Sequence, residues 1–415
     1  MKTKNRGLPV FSFYFLLSLV LTISIFGLVM ISSAGSVVGM QYFGDSLYFL
    51  KRQVMFFLVA VVIMLAVSFI DHKIMARFSF LFIAISILLL IVVLIPGFGF
   101  MAGGAHRWIR IGFFSLQPSE LTKIFFVLFC AEILAKKREK IFAFRHLFMP
   151  VIFVALLISA LVFLQPDLST VLVIWVGLFS MLFVSGAKLK HVFIMITGWI
   201  AVVLAYIFSA PYRIERILSF LNRGADIKDS GFQLQQSLIA IGSGGLFGVG
   251  LGASRQKYLY LPEAQTDFIF SIVGEEFGLV GAAILVGLYL AIFIISFTIA
   301  FRTKDRLSRL LAVGISTIIC GQVLINILSV IGIIPVTGVP LPMVSYGGSS
   351  LTMTLFGMGV ILNVIRNLNR SELRLVHEIE EESDKEIVDM RRRNRRAYTS
   401  GSIRNKKIER KRRRD

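Results

Sequence analysis

A short polar stretch at residues 261–270 contains two carboxylates placed where they could do chemistry. Its sequence is LPEAQTDFIF, with the acids at Glu263 and Asp267, and the chain becomes hydrophobic directly after Asp267. A carboxylate where a polar loop meets an apolar helix can act as a general base that accepts the proton of a hydroxyl group. The same position equally suits an N-cap, in which Thr266 or Asp267 accepts the first backbone N–H groups of the helix.

The loop that ends at Asp267 also carries several cations. They are Arg213, Arg216, Arg255 and Lys257. A base near cations suits a reaction that deprotonates a hydroxyl and expels a phosphate-type leaving group, because the positive charges stabilise the negative charge that develops. We therefore predict that Asp267 is catalytic and that the four cations, together with Glu263, bind substrate.

A second pair of charged residues lies inside an apolar block. Glu120 and Lys123 are three residues apart and therefore share one face of a helix. Ionisable residues within a membrane are costly and are usually paired or functional, so we predict a structural ion pair. Arg107 and Trp108 precede this block. They suit an interfacial anchor, but an arginine there also suits a pyrophosphate, and we count both residues as substrate-binding.

The histidines and cysteines show no metal-ligand spacing. They are His72, His106, His146, His191, His377, Cys130 and Cys320. The sequence therefore predicts no metal site built from these side chains.

The composition excludes a soluble globular protein. Hydrophobic residues make up 56% of the chain and charged residues only 16%, with a mean hydropathy of +0.80, whereas soluble domains are about one quarter charged. Apolar blocks of about 18 residues or more can cross the bilayer as helices. They fall at 10–32, 53–70, 78–96, 119–135, 147–164, 168–185, 190–210, 268–301, 308–334 and 346–365. We predict an all-α polytopic membrane protein with about ten transmembrane helices, in a membrane domain spanning residues 10–367.

The basic residues predict the orientation of these helices. One set of short loops holds most of them, including Lys136, Arg145, Lys188, Lys190, Arg302 and Arg306, whereas the opposite short loops hold only Lys51, Arg52, Arg107 and Arg110. The positive-inside rule therefore predicts cytoplasmic termini, with residues 1–9 in the cytoplasm. The net charge of +20 is scattered over such loops and the C-terminal tail. It favours contact with anionic lipid, and we predict no nucleic-acid partner.

Two regions outside the predicted spans have a distinctive composition. Residues 211–267 form one long extracellular loop, in which 213–221 and 232–241 have the apolar spacing of short interfacial helices. A glycine run at 242–252 permits bends and close backbone approach. Residues 368–415 carry blocks of charge with few apolar residues, which predicts a disordered cytoplasmic tail.

Several motifs, in order along almost the whole membrane region, resemble the SEDS family (shape, elongation, division and sporulation proteins). They are HRWI at 106–109, QPSELTK at 117–123, QPDL at 165–168, GGLFG at 244–248, LPEAQTDFIFSIVGEE at 261–276, PVTG at 335–338 and PLPMVSYGGSS at 340–350. The stretch GLG at 250–252 with SRQKY at 254–258 is more similar to the FtsW/SpoVE branch than to RodA.

The resemblance implies a peptidoglycan glycosyltransferase that polymerises lipid II on the outer face of the bacterial cytoplasmic membrane, for the division or sporulation septum. It implies that Asp267 is the essential loop acid, that Glu120 and Lys123 are the intramembrane pair, and that Arg107 and Trp108 position the substrate. It also implies a class B penicillin-binding protein as partner, beside other division or sporulation membrane proteins. A divalent cation, Mg²⁺ or Mn²⁺, is one further way to offset the charge of the leaving pyrophosphate.

Two other kinds of protein fit a ten-helix bundle with buried charges. One is a lipid II flippase, a transporter of the same lipid, and the other is a non-catalytic scaffold for division proteins. The sequence shows no inverted repeat of the kind that many transporters have. That absence and the predicted outer position of Asp267 favour the enzyme over the flippase.

Overall fold

The computed structural model of the chain describes residues 8–102, 105–112, 114–136, 144–210, 213–214, 220 and 230–370, with the single positions 381 and 390. Arg216, most of the predicted interfacial helix at 213–221 and most of the predicted tail lie outside the described residues. Contacts divide the chain into two units, Met1–Ile365 and Arg366–Asp415. The sites discussed below all belong to the first unit.

The described residues form mainly helices. In chain order these are α1 (Leu8–Ala34), α2 (Ser36–Phe43), α3 (Tyr48–Phe69), α4 (His72–Arg77), α5 (Ser79–Val92), α6 (Pro118–Lys136), α7 (Phe144–Phe163), α8 (Leu168–Val184), α9 (Leu189–Phe208), α10 (Ser230–Gly244), α11 (Ile269–Arg302), α12 (Arg306–Val330) and α13 (Gly348–Arg370). Three short strands precede α6: β1 (Gly99–Ala102), β2 (Ala105–Ile111) and β3 (Phe114–Leu116).

Each predicted apolar block coincides with one helix of the bundle. Among the described residues, six helices are long and apolar enough to cross a membrane, namely α1, α3, α9, α11, α12 and α13. The predicted helical, polytopic membrane architecture is therefore confirmed, whereas the number of ten crossings stays a prediction. Helix α6 differs from these six because it carries Glu120, Lys123, Glu132 and Lys136 along its length.

The prediction of an all-α fold missed a small antiparallel sheet between α5 and α6. Its strand order is β1-β2-β3, with Gly99 opposite Ile109 and Ile109 opposite Leu116. The strands are short and the stretch is rich in glycine, a composition that favours loops over strands. The sheet matters for function because β2 carries Arg107 and Trp108.

Hydrogen bonds between distant parts of the chain define two ends of the bundle. At the sheet end, which comprises residues 99–102, 105–112, 114–116, 165–167, 245–268 and 335–347, the Arg107 side chain donates to the Gln165 carbonyl oxygen and the Tyr346 N–H donates to the Gln265 carbonyl oxygen. At the basic end, which comprises residues 70–78, 185–190 and 302–309, Arg306 donates to the carbonyl oxygen of Ser185. The positive-inside rule predicts that the sheet end faces outside.

Helix α11 is broken at Gly278, where φ is 66° and ψ is −166°. Backbone groups of the glycine run replace the helical hydrogen bonds that the break removes. The four bonds are Val249 N–H to Glu275 O (3.0 Å), Gly250 N–H to Glu276 O (3.1 Å), Leu279 N–H to Gly245 O (2.9 Å) and Val280 N–H to Leu246 O (3.1 Å). Buried backbone groups need such partners because little water reaches them. Residues 245–250 of the loop are thereby hydrogen-bonded to α11 on both sides of the break.

Replacing Gly278 by alanine is expected to destabilise the protein. A Cβ atom there would lie 2.4 Å from the Gly248 nitrogen, and this backbone conformation is essentially restricted to glycine, so we expect a loss of about 1–3 kcal/mol or more. Gly287→Ala is the matched control in the same helix, because its Cβ would meet no heavy atom within 4 Å. Gly287→Ala should leave the free energy of unfolding unchanged or raise it by up to about 1 kcal/mol. Thermal unfolding in detergent measures both, and equal melting temperatures would contradict the account of the break.

Candidate active site

Asp267 lies at the sheet end, immediately before α11. The side-chain amide of Asn326 on α12 donates to the Asp267 carbonyl oxygen at 2.8 Å and to the Val339 carbonyl oxygen at 2.7 Å. One amide therefore ties the start of α11 to the segment at 335–340. The carboxylate of Asp267 lies over this segment, since a Cβ atom added to Gly338 would be 3.4 Å from Oδ2. The residue is half-buried, so it is partly accessible from outside the bundle.

The structure does not show the N-cap that the sequence also allowed. The N-cap position of α11 is Phe268, and no side chain makes a capping hydrogen bond there. The hydroxyl of Thr266, the other capping candidate, donates to Glu263 Oε2 at 2.8 Å. Phe268, and neither Thr266 nor Asp267, therefore occupies the N-cap position.

Gly338 also lines a polar cavity of about 20 Å³, room for about one water molecule. Its charged and amide-bearing lining side chains are Arg107, Gln117, Glu120, Lys123, Asp167 and Gln322. Two cations and two acids therefore share a small space inside an apolar bundle. Gly338 lines this cavity and also lies next to the Asp267 carboxylate. The cavity and Asp267 therefore border the same backbone segment, residues 335–340.

Glu120 and Lys123 form a buried ion pair in this cavity. Lys123 Nζ lies 2.7 Å from Glu120 Oε1, and each residue is 3% exposed. Such a pair seldom stabilises a fold more than apolar side chains would, because removing two charges from water costs about as much as their attraction returns. What the pair provides is a polar wall next to the segment at 335–340, over which the Asp267 carboxylate lies.

Arg107 connects the sheet to the end of α7. Its Nε donates to the carbonyl oxygen of Gln165 at 2.8 Å, and Nη2 donates to that of Pro166. These two bonds hold the turn that precedes α8. The guanidinium also lines the cavity, so Arg107 positions this turn as well as facing the site.

Asp167 is a cavity residue that the sequence reasoning did not assign. It caps α8 by accepting from the Thr170 N–H at 3.1 Å and from the Thr170 hydroxyl at 2.8 Å. An acid directly before the apolar run of α8 was the available signal, and it lies within the QPDL motif. The capping role accounts for the position of Asp167 and leaves its carboxylate beside Arg107 in the cavity lining.

Comparison with known proteins identifies the family. The sequence model described as cell cycle protein, FtsW/RodA/SpoVE, matches residues 13–370. The chain belongs to this family. The family resemblance of the motifs is thereby confirmed.

Two curated relatives of this FtsW/RodA/SpoVE-family protein fall in the branch that the motifs indicated. The stage V sporulation protein E of Bacillus subtilis is 44% identical over 341 residues, which cover 82% of this chain and 93% of the relative. A probable peptidoglycan glycosyltransferase FtsW of Trichlorobacter lovleyi is 39% identical over 360 residues, covering 86% and 94%.

Solved structures show the same fold. A chain from a study of how a peptidoglycan synthase complex coordinates polymerization and crosslinking aligns with a TM-score of 0.71 at 28% identity, covering 86% of this chain and 98% of the other. The rod shape determining protein RodA of Thermus thermophilus aligns with a TM-score of 0.63 at 29% identity, covering 85% and 96%.

The other described substrate candidates of this family member do not line the cavity. Arg213 donates to the carbonyl oxygen of Tyr206 at 2.7 Å and stacks on the Tyr206 ring, so it closes the end of α9. Glu263 and Arg255 are exposed in the loop before Asp267, and Trp108 is half-buried on β2. Their substrate-binding roles stay predictions, as does that of Arg216 outside the described residues.

Lys257 points into the protein, unlike the exposed Arg255 two residues earlier. The residue is only 5% exposed, and Nζ lies 3.1 Å from Ser33 Oγ on α1 and 3.5 Å from Glu276 Oε1 on α11. The hydroxyl of Ser33 also donates to Glu276 Oε1 at 2.6 Å. This buried cluster fastens the loop to α1 and to α11 just before the break.

Glu275 makes a parallel set of contacts with the loop. It accepts from the hydroxyl of Ser254 at 2.5 Å and from the N–H of Arg255 at 2.9 Å. Glu275 and Glu276, the charged residues near the start of α11, therefore both face the loop and not lipid. Lipid exposure of either carboxylate would be costly.

The described residues contain no group of three or more histidine, cysteine, aspartate or glutamate side chains that could hold a metal ion. A divalent cation held by protein side chains alone therefore does not fit this part of the chain. Magnesium sites that use one or two carboxylates take their other ligands from phosphates and water. The cation requirement stays a prediction.

Neutralising either member of the Glu120–Lys123 pair is expected to cost several kcal/mol of stability, about 3–5, because the partner is left as an unpaired buried charge. The charge-swapped double variant Glu120→Lys with Lys123→Glu should cost less than the sum of the single changes. A double-mutant cycle on thermal unfolding measures this coupling. The exposed pair of Lys51 and Asp45, 2.6 Å apart, is the control and should show little coupling because water screens it. Additive effects at Glu120 and Lys123 would show that their contact has no energetic consequence.

Proposed function

We propose that this protein is a peptidoglycan glycosyltransferase that polymerises lipid II at the outer face of the cytoplasmic membrane. The observation that carries the proposal is the half-buried Asp267 at the sheet end, whose backbone carbonyl is held by Asn326 and whose carboxylate lies over Gly338, beside the cavity of Glu120 and Lys123. The relatives named as probable peptidoglycan glycosyltransferases support it, since they match more than four fifths of the chain.

In the proposed reaction Asp267 is the general base. Its carboxylate takes the proton of the 4-hydroxyl on the acceptor sugar. That oxygen then attacks the anomeric carbon of the donor muramyl sugar from the face opposite its pyrophosphate. The bond from this carbon to the pyrophosphate oxygen breaks, and undecaprenyl pyrophosphate departs with the electron pair. One displacement inverts the anomeric configuration. A base positioned in this way contributes about 10² to 10⁴ in rate.

The location of Asp267 suits a substrate whose reactive group stays at the membrane surface. From Leu279 to Arg302, α11 rises about 36 Å at 1.5 Å per residue, enough to cross the hydrocarbon. The segment from Ile269 to the break at Gly278 therefore stands at or beyond the interface. Asp267 lies at its far end, where the pyrophosphate and sugars of a lipid-linked substrate would lie.

Arg255 is the best placed described cation for the leaving pyrophosphate. It lies in the same loop as Asp267, its side chain is exposed, and its backbone is held by Glu275 at 2.9 Å. A guanidinium can donate two parallel hydrogen bonds to phosphate oxygens. Lys257 is turned inward, so we assign it to holding this loop.

We further propose that the protein works with a crosslinking partner, a class B penicillin-binding protein, and with other membrane proteins of the division or sporulation septum. Helix α11 exposes Ile284, Leu290 and Ile294, and an apolar groove of about 100 Å³ lies between α11, α12 and α13. Helices associate within a bilayer by close packing of such surfaces. The solved relative studied in a peptidoglycan synthase complex supports this assignment.

Asp267→Asn is expected to abolish polymerisation with little effect on folding, because asparagine has almost the same shape but cannot accept the proton. The assay uses purified protein, its partner transpeptidase and lipid II in detergent, with glycan product measured by gel. The expected loss is about 10²-fold or more. Product formation in detergent also separates the enzyme from a flippase, which has no bilayer to work across.

Asp45→Asn is the matched control for this experiment. Asp45 is an exposed carboxylate in the turn between α2 and α3, paired with Lys51 and not part of the cavity lining. It should retain wild-type polymerisation. Wild-type product from a folded Asp267→Asn protein would rule out the base assignment, and product from neither the wild type nor the control would favour the flippase.

Arg255→Gln and Lys257→Met should affect the protein in different ways. We expect Arg255→Gln to raise the KM for lipid II by about tenfold, the value of a charged hydrogen bond, and to leave the melting temperature unchanged. Lys257→Met should lower the melting temperature, because it leaves Glu276 buried without its cation, at a cost of about 3–5 kcal/mol. Adding Glu276→Gln to Lys257→Met should recover part of that loss. A Lys257→Met protein with normal stability and a raised KM would return Lys257 to substrate binding.

A further inference from the structure

A second site lies at the basic end, on the opposite side of the bundle from Asp267. A groove of about 720 Å³ opens there between α4, the end of α6 and the start of α12. Its walls combine Lys73, Arg77 and Lys136 with the apolar side chains of Ile74, Phe78 and Leu307. None of the residues of the candidate active site lines it, so the mechanism above does not use this groove.

Helix α4 has one face fixed in the bundle. His72, Met75 and Ala76 are buried. The His72 ring lies 2.8 Å from Asn363 Oδ1 through Nδ1 and 2.8 Å from Ser308 Oγ through Nε2. The hydrogen bond with His72 also lowers the pKa of Asp305, which begins α12. These contacts hold α4 against α12 and α13, so the opposite face of α4 keeps a fixed position.

That opposite face mixes cations with large apolar side chains. Lys73, Ile74, Arg77 and Phe78 are all exposed, with Ile74 at 52% and Phe78 at 50%. A short helix with this pattern is typical of one lying in the membrane interface, with its apolar side chains toward the acyl chains and its cations toward the head groups.

The groove carries more positive than negative charge. Its acid, Glu132, is buried and is paired with Lys136 one helical turn later. Among the described residues, no acid lies within ion-pair distance of Lys73 or Arg77. Two cations are therefore available beside an apolar wall.

We propose that this groove binds an acidic phospholipid of the leaflet at the basic end. Lys73 and Arg77 contact the phosphate, Arg77 through paired N–H groups. Ile74, Phe78 and Leu307 contact the first part of the acyl chains. Basic pockets between membrane helices on the cytoplasmic side are suited to anionic head groups. The apolar wall favours a lipid over a free phosphate ion, because a phosphate ion has no apolar part that could pack against Ile74, Phe78 and Leu307. A bound lipid would hold α4 in the interface.

The test measures lipid binding to the purified full-length protein by native mass spectrometry in detergent. The probes are phosphatidylglycerol, which is acidic, and phosphatidylcholine, which has no net charge. We expect tighter binding of phosphatidylglycerol. Lys73→Gln and Arg77→Gln should each weaken it by roughly fivefold, the effect of one cation near a head group, and leave phosphatidylcholine unchanged.

Lys190→Gln is the matched control, because Lys190 is an exposed cation near the start of α9 at the same end but does not line the groove. It should keep wild-type selectivity. The charge-conserving variants Lys73→Arg and Arg77→Lys should keep it too, which separates loss of charge from misfolding.

Three results would overturn the proposal. The first is equal affinity of the wild type for the two lipids. The second is a loss in Lys190→Gln as large as that in Lys73→Gln, which would mean general surface charge. The third is displacement of phosphatidylglycerol by inorganic phosphate, which would make the groove a phosphate site. This test measures lipid binding and not polymerisation, so its outcome is independent of the proposed function.

Discussion

The break in α11 at Gly278 is the constraint on which the sheet end depends. A helix that loses backbone hydrogen bonds where it is buried in the protein must find other partners, because little water reaches these groups. The glycine run supplies them, and a glycine at 278 lets the two backbones approach. As a result, residues 245–250 complete a helix and do not behave as a free loop.

The candidate base takes its position from this arrangement. The loop that leaves the glycine run is fastened again by Lys257 and Ser254 to Glu276 and Glu275 on α11. It then returns to the start of the same helix at Asp267. Both ends of the loop are therefore anchored on α11, and Asn326 fixes the last carbonyl group. A general base on a backbone anchored in this way would lose little orientation when substrate binds, which is how positioning contributes to catalysis.

Charged groups are placed at the two ends of the bundle for different purposes. At the sheet end the acids and cations of the cavity balance one another and are almost all buried. At the basic end Lys73 and Arg77 are exposed and have no acidic partner among the described residues. Balanced buried charge keeps a polar site inside apolar surroundings, whereas unbalanced exposed charge attracts anionic head groups.

The sequence by itself determined the helical membrane architecture, the family and the position of Asp267 directly before a long apolar helix, because apolar length and motif order are local properties of the chain. It left three things open. The sheet was missed because its strands are short and rich in glycine. The single block at 268–301 hid the break, although it is longer than one crossing requires. Lys257 and Arg255 are both cations of the same loop, and nothing in the sequence distinguishes their burial. Only the packing of α1 against α11 buries Lys257 and leaves Arg255 exposed. Which cation is buried and which is exposed depends on contacts between distant segments, and these exist only once the chain has folded.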